Sequence, residues 1–205
     1  DLGSDSISGA LVTGVSAYEL YGDDTVAYVA SRPADDTSQM PYQQVGIYRA
    51  SKDVEISRYP ADKKLLIDYA EYYRREYLLV SYDTTIEVLR NPDETVGKKN
   101  NQVFQKITLP APSQWLYFSS SGRMIVSQTG ASATVYDLET TQQFTFKLET
   151  GAATPTKFRW LDEYHLYTTD GGKLQVAEFD GTQQRTIAEV KPGTPVTLSD
   201  NQKFI

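Results

Sequence analysis

Two stretches of the chain nearly repeat each other: TVYDLETTQQFTFKL at residues 134–148 and VAEFDGTQQRTIAEV at residues 176–190. Each runs into an aspartate, Asp137 or Asp180, reads Thr-Gln-Gln after a short turn, and leaves through alternating apolar residues. Alternation with a period of two residues is typical of a strand with one buried face. The two stretches therefore predict β-hairpins that recur along the chain.

The pattern extends outward in both directions from these two stretches. Apolar runs centred on Tyr28, Leu79, Ile125 and Leu166 lie 51, 46 and 41 residues apart, and each is flanked by further short runs. Recurrence at such a period indicates a repeat architecture built from one supersecondary unit. We predict a single domain, residues 1–205, whose units of four short strands have these approximate bounds: 14–60, 63–110, 113–150, 156–191 and a partial unit at 196–205.

The turns between these runs are rich in glycine and aspartate. Examples are Gly22 before Asp23, Gly122 after Ser121, and Gly181 after Asp180. These residues tolerate the positive φ values that tight hairpins require. The turns therefore support short antiparallel strands.

Residues 61–76, ADKKLLIDYAEYYRRE, allow two interpretations. A helix would place five apolar or aromatic residues on one face, with charges opposite; these residues are Leu65, Leu66, Tyr69, Tyr72 and Tyr73. The repeat predicts instead a strand at residues 65–70, a turn, and a second strand from Tyr77. Both alternatives stay open from the sequence.

The third and fourth units resemble the blades of β-propellers of the WD-like and TolB-like type. The resemblance lies in QWLYFSSSGRMIVSQTGASATVYDLETTQQ (residues 114–143) and KFRWLDEYHLYTTDGGKLQVAEFDGTQQ (residues 157–184). The form EFDGTQQ also resembles the propeller-like regions that follow PEGA domains in bacterial envelope proteins. The resemblance implies an all-β propeller of about five blades, closed by pairing of residues 196–205 with residues 10–14, or an incomplete, open propeller.

Composition excludes several kinds of site. The chain has no cysteine, which removes disulfides, zinc–thiolate sites and cysteine nucleophiles. Its net charge of −7 disfavours binding to nucleic acid and to anionic lipid. Glycine-rich phosphate loops are absent, and the apolar runs are far shorter than the roughly 20 residues that span a bilayer. We expect no cofactor, no metal and no membrane insertion, although a longer parent protein can be membrane-anchored.

The candidate catalytic groups are few. His165 alternates with apolar neighbours, which favours packing on a sheet over the role of a base. Adjacent acids on loops are more often turn formers than the carboxylate pair of a glycosidase; they occur at Asp23 and Asp24, Asp35 and Asp36, and Asp162 and Glu163. The segment from Asp170 lacks the ligand spacing of a calcium loop. We predict that the chain is not an enzyme.

A tyrosine–arginine cluster is the strongest candidate for an interaction surface, because aromatic side chains and arginines are enriched at interface hot spots. The surface predicted from it, with two acids of the first insertion, consists of Arg58, Tyr59, Tyr72, Tyr73, Arg74, Arg75, Asp35 and Asp36. In the alternative interpretation, the tyrosines fill gaps between blades and Arg74 and Arg75 lie in a solvent turn. Trp115 and Trp160 occupy matching strands and are predicted to pack between blades.

The function predicted from these features is that of a non-catalytic binding scaffold. Its recognition loops would be the insertions at residues 31–44 and 91–102. The ligand would be a protein or a glycan, and the PEGA-type resemblance implies a place outside the cytoplasm, in the envelope or on the surface of a bacterium. Two rivals remain: a propeller-type carbohydrate-active enzyme or substrate-gating domain of a larger hydrolase, and a purely structural spacer.

Overall fold

The computed structural model describes residues 12–94, 96, 103–148, 157–191 and 195–196. In that part the chain forms sixteen β-strands and one short 3-10 turn, Asp170–Gly172. The strands make four antiparallel sheets, and in each sheet consecutive strands are hydrogen-bonded neighbours. The prediction of all-β, antiparallel, four-stranded units is confirmed.

The first two sheets are referred to as blade 1 and blade 2. Blade 1 contains β1 Val15–Tyr21, β2 Thr25–Arg32, β3 Tyr42–Arg49 and β4 Lys52–Pro60. Blade 2 contains β5 Leu66–Tyr72, β6 Arg75–Tyr82, β7 Thr85–Arg90 and β8 Val103–Thr108. In both blades the two central strands are the most deeply buried.

The last two sheets, blade 3 and blade 4, repeat the arrangement with shorter strands. Blade 3 contains β9 Trp115–Phe118, β10 Met124–Thr129, β11 Ser132–Asp137 and β12 Gln143–Lys147. Blade 4 contains β13 Arg159–Trp160, β14 His165–Thr168, β15 Lys173–Glu178 and β16 Arg185–Glu189. The near-repeat at residues 134–148 and 176–190 thus spans the third and fourth strands of these two blades.

Residues 61–76 contain a β-hairpin, and the helical alternative is wrong. Strands β5 and β6 pair in register, with Tyr72 opposite Arg75. Ile67 and Tyr69 pack toward blade 1, whereas Leu66 and Tyr72 pack toward blade 3. The strand is buried on the face toward blade 1 and half-buried on the face toward blade 3. A strand that packs on both faces carries apolar residues at many positions, and this pattern can resemble the apolar face of a helix.

The blades lie side by side with their first strands innermost. Strand β1 contacts β5, and β5 contacts β9. Because the strands alternate in direction, every loop between second and third strands and every link between blades falls on one face, here the top face. The turns between first and second strands and between third and fourth strands fall on the opposite, bottom face. The fourth strand of each blade lies at the outer edge.

The core consists of three seams between neighbouring blades. In blade 2, Leu78 and Val80 point into the seam with blade 1, while Tyr77 and Leu79 point into the seam with blade 3. A third cluster, which includes Val126, Val135 and Leu166, fills the seam between blades 3 and 4. Burial of each such aliphatic side chain stabilises the fold by roughly 1.5–3 kcal/mol.

Polar contacts reinforce these seams. Arg49 of blade 1 donates to Glu76 at 2.6 Å, to Asp93 at 3.0 Å and to the hydroxyl of Tyr69 at 2.9 Å, all in blade 2. The Asp68 carboxylate of β5 accepts the backbone N–H of Phe118 in β9. Burial raises the pKa of this carboxyl group to about 6, even though the N–H of Phe118 favours the ionised form.

Several predictions about single residues can be compared with this arrangement. Trp115 and Trp160 are half-buried and pack in the seam between blades 3 and 4, as predicted. The predicted pairing of residues 10–14 with 196–205 falls largely outside the described residues. For the same reason the closure of the ring and the number of blades stay predictions.

Candidate functional site

The top face of blade 1 carries a pocket of about 480 Å³ at the outer edge of the molecule. It lies between the β2–β3 loop, residues 33–41, and the end of β4. Its walls are mainly apolar or aromatic; the residues that line it are Ser38, Met40, Pro41, Tyr42, Arg58, Tyr59, Pro60, Ala61 and Asp62. This cavity, here the blade-1 pocket, is large enough for one or two side chains of a bound segment.

Asp35 organises the loop that forms one wall of the pocket. Its carboxylate accepts the backbone N–H groups of Thr37 at 2.9 Å and Ser38 at 2.6 Å, as in a turn initiated by aspartate. It also accepts the hydroxyl of Tyr42 at 2.9 Å. Partial desolvation would raise the pKa of Asp35, but these donors outweigh it and hold the pKa well below its usual value. Asp36 lies exposed in the same loop.

Arg58 clamps the pocket from the β4 side. Its guanidinium group lies over the ring of Tyr42, 4.4 Å from the ring centroid, and pairs with Asp35 at 2.9 Å and with Glu55 at 2.5 Å. A cation–π contact combined with two ion pairs holds this long side chain in one orientation. The pocket wall is therefore ordered before any ligand arrives.

Tyr59 is a seam residue more than a surface residue. Only 8 % of it is exposed, its hydroxyl donates to Glu87 at 2.8 Å, and its ring lies 5.2 Å from that of Tyr82. Burial and the nearby Glu87 carboxylate raise the pKa of its hydroxyl. For Tyr59, as for Tyr69, the structure agrees with the alternative interpretation that tyrosines fill the gaps between blades.

The other four residues of the predicted surface lie on the opposite face. Tyr72, Tyr73, Arg74 and Arg75 form the tip of the β5–β6 hairpin, here the hairpin tip, on the bottom face. Tyr73 is 75 % exposed, and its ring meets that of Tyr72 edge to face at 4.5 Å. The structure therefore brings Asp35 and Arg58 together but separates them from the hairpin tip by the length of a strand.

The two insertions are likewise divided between the faces. The β2–β3 loop, within the predicted insertion 31–44, is on the top face beside the pocket. The β7–β8 loop, within the predicted insertion 91–102, is on the bottom face, and most of its residues lie outside the described part. The described residues of the two loops therefore lie on opposite faces.

Sequence reasoning did not single out Met40 and Tyr42, although both lie in the predicted insertion 31–44, and it missed Glu55. Met40 is 73 % exposed at the pocket rim, where a flexible thioether can adapt to an apolar ligand. The signal available was the dipeptide Met-Pro at the end of an otherwise polar loop. The pairing of Glu55 with Arg58 depends on a bulge in β4 and has no clear sequence signature.

The acids considered for catalysis have structural partners. Asp162 accepts the backbone N–H of Tyr164 and of His165 at 2.8 Å and contacts the His165 ring at 2.8 Å. Glu163 accepts the hydroxyl of Ser119 at 2.9 Å. These contacts fasten two bottom-face turns of blades 3 and 4. His165 keeps 40 % of its side chain exposed, more than packing on a sheet would leave.

No cluster of three or more His, Asp or Glu side chains suited to a metal ion occurs among the residues described. Within the same part of the chain, no helix has the length and apolar character to cross a membrane. Asp170, considered for calcium, is buried in the 3-10 turn, where its backbone N–H donates to the Thr168 hydroxyl at 3.2 Å.

Comparison with known proteins identifies the fold. The chain is similar to Hsv2 of Kluyveromyces lactis, with a TM-score of 0.58 and 14 % identity, covering 93 % of this chain and 57 % of Hsv2. It is also similar to the C-terminal WD40 domain of Sif2, with a TM-score of 0.51, 9 % identity and coverage of 88 % and 50 %. These structures are WD40 β-propellers, which confirms the predicted fold class.

A third similar structure is described as the complex of the fission yeast SREBP–SCAP binding domains, with a TM-score of 0.54, 11 % identity and coverage of 91 % and 51 %. The chain thus spans a little over half the length of these solved structures. No protein-family model matches the chain. The comparison with curated proteins gives no match either.

Proposed function

We propose that this chain is a non-catalytic protein-interaction module of the β-propeller type, which holds an apolar side chain of a partner protein in the blade-1 pocket. The observation that carries the proposal is the pocket itself: about 480 Å³, mainly apolar, and ordered by Asp35 and Arg58. A rigid concave site with a few fixed polar groups is what a short protein segment requires.

The aromatic rings of the pocket favour a protein ligand over a glycan, because their faces and hydroxyl groups are already in contact with other side chains. Sugar sites usually present an open aromatic face surrounded by free hydrogen-bonding groups. Here the face of Tyr42 is covered by Arg58, and its hydroxyl is used by Asp35. Tyr59 is also inaccessible to a ligand, because it is buried and its hydroxyl donates a hydrogen bond to Glu87. What remains for a ligand is apolar surface from Met40, Pro41 and Pro60.

The neighbours support this proposal only through their fold and description. One of the similar structures is described as a complex of binding domains, so a propeller of this shape is compatible with a protein partner. Blades provide a rigid support from which loops of variable sequence can contact a partner. A non-catalytic role is supported by Asp162 and Glu163. Both accept hydrogen bonds that stabilise turns, and they do not face each other across a cleft.

We further propose that the protein acts outside the cytoplasm, in the envelope or on the surface of a bacterium. This rests on the resemblance of EFDGTQQ, residues 178–184, to the regions that follow PEGA domains. Fractionation of the cells that produce the protein, followed by protease treatment of intact cells, tests it. Recovery with the cytoplasmic fraction would reject the location and leave the binding proposal standing.

The binding proposal is tested with a random peptide library displayed on phage. The selection uses the wild-type protein and the variant Ala61→Trp, whose indole fills the pocket from the link between blades 1 and 2. We expect peptides with an apolar residue to bind the wild type and to lose affinity for the variant by about tenfold or more. The matched control is Ala111→Trp, in the corresponding link between blades 2 and 3, which leaves the pocket open.

Each outcome decides the proposal. Equal loss in both variants would show that the peptides bind elsewhere on the top face. Binding only in a parallel glycan panel would replace the protein ligand with a sugar. No binding in either assay would favour a purely structural spacer.

A further inference from the structure

We propose that the hairpin tip is a second binding site, independent of the blade-1 pocket, and that it takes an acidic segment of a partner protein. The tip combines one exposed tyrosine, a second tyrosine beside it, and two arginines at the end of a hairpin. Tyrosine and arginine are the side chains that most often carry the energy of a protein interface.

The two arginines of the tip differ in their partners from Arg49 and Arg123, which also lie on the bottom face. Arg49 pairs with Glu76 and Asp93, and Arg123 pairs with Asp137 and Glu139. Within the described part of the chain, Arg74 and Arg75 have no hydrogen bond or ion pair from their guanidinium groups, and both are exposed. Their charge is therefore available to a carboxylate supplied from outside.

The tyrosines are held in place by the neighbouring blade. The Tyr72 hydroxyl donates to Glu139 of blade 3 at 3.1 Å, and Glu139 is fixed in turn by Arg123 at 2.9 Å. The Tyr73 ring then stands against the edge of Tyr72 and projects into solvent. Such preorganisation lowers the entropy that a partner loses on binding.

The backbone of the tip adopts an unfavourable conformation. Tyr73 and Arg74 both have positive φ, 49° and 58°. Hairpin turns of this kind strongly prefer asparagine and glycine, because a Cβ atom is unfavourable in the left-handed region. Two large side chains at these positions therefore cost stability, and their replacement by asparagine and glycine should recover it.

The surroundings of the tip favour a narrow acidic segment over an extended polyanion. The other described turns of the bottom face are rich in acids: Asp23, Asp24, Asp93, Glu94, Glu139, Asp162, Glu163 and Asp180. A flat anionic membrane or a nucleic-acid backbone would meet these carboxylates as well and be repelled. A single peptide segment can contact the two arginines and the Tyr73 ring while staying clear of the acids.

The experiment measures fluorescence anisotropy with a labelled peptide, Glu-Asp-Glu-Phe-Glu-Asp-Glu, and its neutral analogue, Gln-Asn-Gln-Phe-Gln-Asn-Gln. We expect the wild type to bind the acidic peptide at least tenfold more tightly, with affinity that falls as salt rises. Replacing both tip arginines, Arg74→Ala with Arg75→Ala, should reduce the affinity by about tenfold or more. The charge-matched control, Lys52→Ala with Lys64→Ala, also removes two exposed cations and should bind like the wild type.

A turn variant separates a binding role from a structural one. Tyr73→Asn with Arg74→Gly should raise the denaturant midpoint, because it relieves the strain, and should lose peptide binding. The control turn joins β3 and β4, where Ala50 and Ser51 also have positive φ, 49° and 62°. There Ala50→Asn with Ser51→Gly should raise the midpoint and leave binding unchanged.

Three results would overturn the proposal. One is equal binding of the two peptides by the wild type, and another is equal loss of affinity in the lysine control. The third is binding to vesicles containing phosphatidylserine without binding to the acidic peptide, which would assign the tip to membranes.

Discussion

The blade-1 pocket and the hairpin tip contain the same residue types in opposite states. In the pocket, Arg58 is neutralised by Asp35 and Glu55, and the Tyr42 ring is covered. At the tip, Arg74 and Arg75 are exposed and Tyr73 projects into solvent. In the pocket the charged groups pair with one another around an apolar cavity, whereas the arginines of the tip are exposed and, in our proposal, available to a partner. Residue type alone therefore does not tell whether an arginine supports a site or makes contact in it.

The largest expected change in stability concerns the contact between blade 3 and the backbone beside the hairpin tip. In Gly122→Ala, the new Cβ would lie 2.4 Å from the carbonyl oxygen of Glu71, which directly precedes the hairpin tip, and Gly122 has φ of +76°. We expect unfolding free energy to fall by about 3 kcal/mol. Urea unfolding measures this loss. The control is Gly130→Ala, with φ of +57° and open space, which should lose about 1 kcal/mol. Equal losses of unfolding free energy in the two variants would show that the close contact between Gly122 and the Glu71 backbone does not matter for stability.

The second prediction contrasts the carboxyl group on the strand that carries the tip with the one that organises the pocket loop. The folded protein raises the pKa of Asp68 to about 6, so the contribution of this group to stability is present below pH 4 and lost as pH rises through 6. Asp68→Asn keeps an oxygen that can accept the Phe118 N–H. Relative to the wild type, it should gain about 2–3 kcal/mol above pH 6 and nothing below pH 4.

The contribution of Asp35 to stability depends on pH in the opposite direction, because folding lowers the pKa of its carboxyl group. Its contribution is present above the unfolded pKa of about 3.8 and is lost as pH falls through the lower folded value. Asp35→Asn should therefore destabilise the protein at neutral pH, and the difference should shrink in acid. Thermal melts across pH 3–8 measure both variants. Parallel pH profiles for the two would contradict the contrast.

The third prediction compares the arginine of a seam with the arginine of the pocket. Arg49→Met leaves Glu76 and Asp93 without their cation between blades 1 and 2, and should cost about 2 kcal/mol after allowance for partial solvent exposure. Arg58→Met removes pairs that lie at the surface and should cost less. Chemical denaturation of both variants gives the ranking. A larger loss for Arg58 would make the pocket a structural element of the fold.

The smallest expected effect compares a tyrosine buried between blades, Tyr59, with a tyrosine of the hairpin tip, Tyr72. Tyr59→Phe removes a buried hydroxyl that donates to Glu87, and should cost about 1–2 kcal/mol. Tyr72→Phe removes an exposed bond to Glu139 and should cost less than about 0.5 kcal/mol. Differential scanning calorimetry resolves the two. If both variants lose the same stability, the hairpin tip is as tightly integrated as the seam.

Local patterns in the sequence were sufficient for the strands and for most turns. Alternation and glycine–aspartate turns act over a few residues, and the Ser-Ser-Gly hairpin at residues 119–123 lies between β9 and β10 as predicted. The ambiguity at residues 61–76 arose because β5 has apolar or aromatic residues on its buried face and also on its half-buried face, which obscures the alternation in sequence. Only the packing of Tyr69 toward blade 1 and Tyr72 toward blade 3 distinguishes the strand from the helix.

The residues of the candidate surface could not be grouped correctly from local sequence patterns. Arg58 was grouped with the tip because both belong to a sequence region rich in tyrosine and arginine, and Asp35 was added because it lies in the first insertion. The Tyr72 contact with Glu139 spans 67 residues. Which end of a blade a loop occupies depends on the number of strands before it. Which side chains meet depends on how blades pack. Strand content and turn chemistry are encoded within a few residues, and the repeat is visible as their recurrence along the sequence. The split between pocket and tip follows instead from contacts between segments far apart in the chain.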